Sequence, residues 1–74
     1  MRYAIDVLQA DGSCRTLIVE VIGGSKGSLT VILDGKSQQI DWKVIAGWAA
    51  IDEEGTTPII LNWLPQGMAF PVCI

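Results

Sequence analysis

The chain has 74 residues, half of them apolar, and its five basic and eight acidic side chains give a net charge of −3 with no histidine. A negative field and scattered basic residues (Arg2, Arg15, Lys26, Lys36, Lys43) argue against nucleic acid and against an anionic membrane surface, and no apolar run approaches the ~20 residues of a membrane-spanning helix. Without histidine the commonest general base and a frequent metal ligand are missing, so no catalytic, cofactor or metal role is expected.

The chain enters a strand-like alternation at once: Tyr3, Ile5 and Val7 share one face, with Ala4, Asp6 and Leu8 on the other. No basic-then-apolar leader pattern precedes it, so a cytoplasmic chain is expected, with Cys14 and Cys73 as thiols acting as small buried hydrophobes and a Cys14–Cys73 bridge as the lesser alternative. Asp11-Gly12-Ser13 supplies a turn, and the run from Cys14 to Ile22 places Leu17, Val19 and Val21 on one face and Thr16, Ile18, Glu20 and Ile22 on the other.

Gly23 to Ser28 has the composition of a flexible hairpin loop. It lacks the residue order of a phosphate-binding loop and leads into a strand, Leu29 to Leu33. Asp34-Gly35 is a strong two-residue hairpin signal, after which Lys36 to Trp42 returns as a strand with Ile40 and Trp42 on one face. Residues 41–51 fit two patterns. Ile40, Val44, Trp48 and Ile51 make a helical stripe with Asp41 as cap, but Gly47 sits mid-segment and Trp42 lies off the stripe, so strand is favoured over a short helix.

Asp52 to Thr57 is read as a solvated acidic turn, with Pro58 opening a strand over Ile59–Leu64. Pro65-Gln66-Gly67 breaks it, and Met68 to Ile74 alternates again with Met68, Phe70, Val72 and Ile74 on one face. Pro71 marks this last run as an edge strand or a bulge. The sum is one all-β domain over residues 1–74, a small antiparallel meander of six to seven short strands closed as a barrel or folded as a sandwich.

A domain this short buries only about 60% of the surface its unfolded chain exposes, so an apolar half leaves apolar surface for a partner. The expected function is therefore a non-enzymatic interaction or structural module that forms a homo-oligomer through apolar sheet surface and can present a second surface to another protein. Trp42, Trp48, Trp63 and Phe70 are the candidate interface anchors or ligand platforms. The alternative is a ligand-binding barrel floored by tryptophan, with specificity from Gln38, Gln39 or Asn62.

Overall fold

The computed structural model describes residues 2–51 and 59–74, so the expectations for the acidic turn and for Pro58 lie outside the described residues. Five antiparallel strands make one sheet: β1 (Arg2–Leu8), β2 (Cys14–Gly24), β3 (Ser28–Leu33), β4 (Lys36–Asp41) and β5 (Ile45–Ala50), in the order β4-β3-β2-β1-β5. No described residue lies in an α-helix. The all-β expectation holds. The expected six to seven strands and closure as a barrel or sandwich do not, because the described sheet has five strands and is open.

Local chemistry accounts for the turns. Between β1 and β2 the Asp11 carboxylate accepts hydrogen bonds from the Ser13 backbone N–H (3.0 Å) and Ser13 Oγ (2.6 Å), an Asx-turn. Between β3 and β4, Asp34 and Gly35 have φ of 53° and 77°, both positive as a type I′ turn requires. The Gly23–Ser28 stretch is more ordered than its composition suggests. Ser25 Oγ accepts from the N–H groups of Gly27 and Ser28, and the Trp42 indole N–H donates to Ser25 O at 2.8 Å.

β2 serves two halves of the sheet: residues 14–20 pair with β1, residues 20–24 pair with β3, and a bulge between Val21 and Gly23 falls in the second half. Bulges bend a strand and increase its twist. The chain then passes from one sheet edge to the other through a single 3₁₀ turn, Trp42–Val44, capped by Asp41 whose carboxylate accepts from Lys43 N–H. A flat five-stranded sheet is roughly 19 Å wide between its outer strands. Asp41 and Ile45 can be at most about 15 Å apart along the chain. The sheet must therefore curl strongly at this corner. Residues 41–51 thus contain one helical turn and then a strand, and the turn separates Trp42 from the strand that carries Trp48.

The inner face of the curl holds the core: Tyr3 and Ile5 of β1, Val19 and Val21 of β2, Leu29 and Val31 of β3, with Trp42 and Ile45 at the corner. Ile60 completes it. It belongs to the segment 59–74, which contains a short 3₁₀ turn (Ile59–Asn62) and no strand. The two strands expected there are absent. In the first, residues 59–62 wind into the 3₁₀ turn; in the second, Pro71 cannot donate to a ladder; and between them Gly67 turns the chain with φ of 71°. The apolar side chains are buried instead as a strap on the sheet, with Trp63, Leu64, Met68 and Phe70 packed against the core.

Candidate interaction surface

The outer face of the sheet carries two of the large apolar residues that the fold leaves exposed, Ile18 and Ile22. Cross-strand register places Ala49, Ala4 and Ile18 in one row across β5, β1 and β2, and Ile32 of β3 lies diagonal to Ile18 on the same face, opposite Glu20. Ile18 is 54% exposed, and Ile22 at the bulge is 51% exposed. Polar pairs lie on the same face: Thr16 Oγ1 donates to Asp6 Oδ1 at 2.6 Å on one side of the Ala49–Ala4–Ile18 row, and on the other Glu20 stands between Arg2 and Ile32. The outward placement expected for Asp6 and Glu20 is as observed.

The aromatic candidates separate into two groups. Trp42 is 1% exposed and its indole N–H is satisfied by Ser25 O, so it presents no surface to a partner. Trp48, Trp63 and Phe70 are half-buried against the core. Trp48 meets Tyr3 edge to face with ring centroids 6.1 Å apart. Trp63 lies over Gly24, where an added Cβ would come within 3.0 Å of the indole, so the bare glycine backbone of β2 makes room for the ring. Tyr3 Oη accepts a hydrogen bond from Ile60 N–H at 3.3 Å, joining β1 to the strap.

A shallow cleft of about 450 Å³ opens between the Gly23–Ser28 stretch and the strap, lined by Lys26, Leu61, Asn62, Leu64, Pro65 and Gln66. Asn62 is thus in a cleft, while Gln38 and Gln39 lie exposed on β4 at the far edge of the sheet. No tryptophan lines the cleft. No protein-family model, curated protein or solved structure matches this chain. Among the described residues no cluster of three or more His, Cys, Asp or Glu could hold a metal ion, and none of their charged side chains is buried. The Asp11 carboxyl is held below its ordinary value by the Ser13 hydroxyl and the Ser13 N–H.

The cysteines depart most from expectation. Cys14 and Cys73, expected as buried thiols, are joined as a disulfide that closes 59 residues of sequence separation. The bridge anchors the strap beside the β1–β2 turn, where Ile74 N–H also donates to Gly12 O at 2.9 Å and the Ile74 side chain touches Gly12. Val72 and Ile74 are nevertheless 86% and 96% exposed. Ordering four residues, 71–74, costs roughly 4–8 kcal/mol of backbone entropy, and one hydrogen bond returns about 0.5–1.5 kcal/mol. With so little apolar burial, the covalent bond is what keeps these residues in place.

Nothing in the residue spacing points to this pairing; only the even cysteine count was available as a signal. The bridge also supplies a staple of the kind small domains need, so self-association is not required for stability and rests on the exposed apolar surface alone.

Proposed function

We propose that this chain is a non-enzymatic interaction module that self-associates through the outer face of its sheet. The observation that carries this reading is the row Ala49–Ala4–Ile18 with Ile32 and exposed Ile22, an apolar stripe on a face that no described residue covers. A second copy suits it because Arg2 and Glu20 stand side by side next to Ile18 and Ile32 on this face. A two-fold axis passing between these two charges sets each against its opposite on the partner, the self-complementarity an isologous interface requires. Trp48, Trp63 and Phe70 pack half-buried against the core on the opposite side of the sheet and are not part of this surface.

Light scattering on a sizing column over a hundredfold concentration range tests the proposal. Self-association predicts a mass above 8.0 kDa that falls to the monomer value in Ile18→Lys with the fold intact. A wild-type protein that stays monomeric at high micromolar concentration contradicts it.

A second reading, small-ligand binding, draws support from the cleft at Lys26, Asn62 and Gln66, whose volume lies within the usual range for ligand pockets. Trp63 follows directly on Leu61 and Asn62 of its lining, so its emission would report occupancy across a metabolite panel. As for location, no described helix is long and apolar enough to cross a membrane. The Cys14–Cys73 bond favours an oxidising compartment, and a cytoplasmic chain would keep such a bond only as a transient, redox-sensing one.

A further inference from the structure

The disulfide joins two unequal partners. Cys14 is half-buried at the start of β2, inside the β1–β2 ladder opposite Leu8, whereas Cys73 is exposed on a stretch that belongs to no ladder. On either side of Cys73, Val72 and Ile74 project into solvent, and the described hydrogen bond that holds this stretch is Ile74 N–H to Gly12 O. Upstream, Met68 and Phe70 are packed against the core, and Ile60 is buried within it. The strap therefore has a firmly seated part, up to Phe70, and a terminal part whose position depends on one covalent bond.

We propose that Cys14–Cys73 is a thiol–disulfide exchange site, reduced by a dithiol at Cys73, and that its reduction releases residues 71–74 from the β1–β2 turn while the five-stranded sheet stays folded. A thiolate of the dithiol attacks Cys73 Sγ. The S–S bond breaks with its electron pair going to Cys14 Sγ, which takes up a proton. The second thiol of the dithiol then attacks the mixed disulfide, closes the reagent's own disulfide and leaves Cys73 as a thiol, so that two electrons and two protons pass to the protein. Cys73 is the exposed residue of the two and lies outside the ladder, whereas Cys14 pairs with Leu8 at the ladder's end, so attack from the Cys73 side requires no opening of the sheet. The released stretch carries Val72 and Ile74, which the bond otherwise holds beside Gly12, and it uncovers the Asp11–Ser13 turn.

The experiment is amide hydrogen exchange by NMR on the full chain, oxidised and then treated with dithiothreitol without denaturant, with thiol alkylation and mass measurement to count reduced cysteines. Reduction should proceed in the folded protein, and the Ile74 amide should lose protection by about tenfold or more, to that of an unstructured amide, while amides of β1 stay protected at the level set by the lowered global stability. The double variant Cys14→Ser/Cys73→Ser should show the reduced pattern with no reagent. Three results would each overturn the proposal: a bond that dithiothreitol cannot reduce until the protein is unfolded, an Ile74 amide that stays protected after reduction, or β1 and β2 amides that become as unprotected as Ile74. Self-association through the outer face is a separate matter, read by mass and not by these amides.

Discussion

β1 lies between β2 and β5 and has both backbone edges paired, whereas the segment 59–74, with as regular an alternation of apolar side chains over residues 68–74, forms no ladder with any described strand. Both contribute to the same core: Tyr3 and Ile5 from β1, Ile60 from the strap, with Met68 and Phe70 beside it. The sheet satisfies its backbone within itself. The strap is held by side-chain burial, by the Tyr3 Oη and Gly12 O hydrogen bonds, and by one disulfide. Apolar alternation therefore becomes a strand only where the backbone can pair, and over residues 68–74 it marks burial only as far as Phe70, since Val72 and Ile74 on the same face are exposed.

The largest effect should come from the corner where sheet and core meet. Trp42→Ala removes a buried indole and its hydrogen bond to Ser25 O, and should cost about 3–5 kcal/mol in denaturant unfolding. A loss below ~1 kcal/mol would mean the corner is not the keystone that the curl of the sheet implies. Next is the staple: without reductant, Cys14→Ser/Cys73→Ser should lower stability by about 4 kcal/mol, the loop-closure value for a bridge of this span, with the sheet still folded. A similar cost accompanied by loss of the β signal at room temperature would make strap and sheet one unit.

Gly24→Ala sharpens the boundary between the two regions. The new methyl meets the Trp63 ring, so about 1–2 kcal/mol should be lost, and Trp63→Ala in the same chain should recover part of it in a double-mutant cycle. Simple additivity would place Trp63 away from β2.

The smallest effect is a pH dependence at the β1–β2 turn. The Asp11 pKa is depressed in the folded state, below its ordinary 3.8. Its contribution is therefore present above the unfolded pKa and lost as pH falls through the folded one. Thermal unfolding should show a small loss of stability below about pH 4 that Asp11→Asn removes. An unchanged profile in that variant would contradict the Ser13 hydrogen bonds.

Legibility from sequence follows the same division. The Asp34-Gly35 turn, the Asp11–Ser13 turn and the inner faces Tyr3/Ile5 and Leu17/Val19/Val21 could be read directly, because turn chemistry and period-two burial are local. Residues 41–51 carried both a helix cap and a strand pattern, and both are used in succession: Asp41 caps one 3₁₀ turn and Ile45–Ala50 pairs with β1. The strap could not be read, because its side-chain period matches a strand while the chain instead winds into a 3₁₀ turn at 59–62 and packs its side chains on the core, with Pro71 withholding a ladder donor. The disulfide could not be read because a contact between residues 14 and 73 depends on where the strap lies. Of the candidate anchors, Trp42 belongs to the core, while Trp48, Trp63 and Phe70 lie at its margin. The exposed stripe consists of isoleucine and alanine on the outer face, where alternation marks Ile18 and Ile22 as outward without marking them as a surface for binding.

The contrast between sheet and strap is tested most directly by native-state hydrogen exchange on the oxidised protein at increasing sub-denaturing guanidinium. Amides of β1 should exchange only through global unfolding, with a steep denaturant dependence, whereas those of Ile60 and Trp63 should exchange through a local opening of lower free energy and little denaturant dependence. If Ile60 and Trp63 exchange with the same free energy and slope as β1, strap and sheet unfold as one, and the difference in how they are held has no consequence for stability.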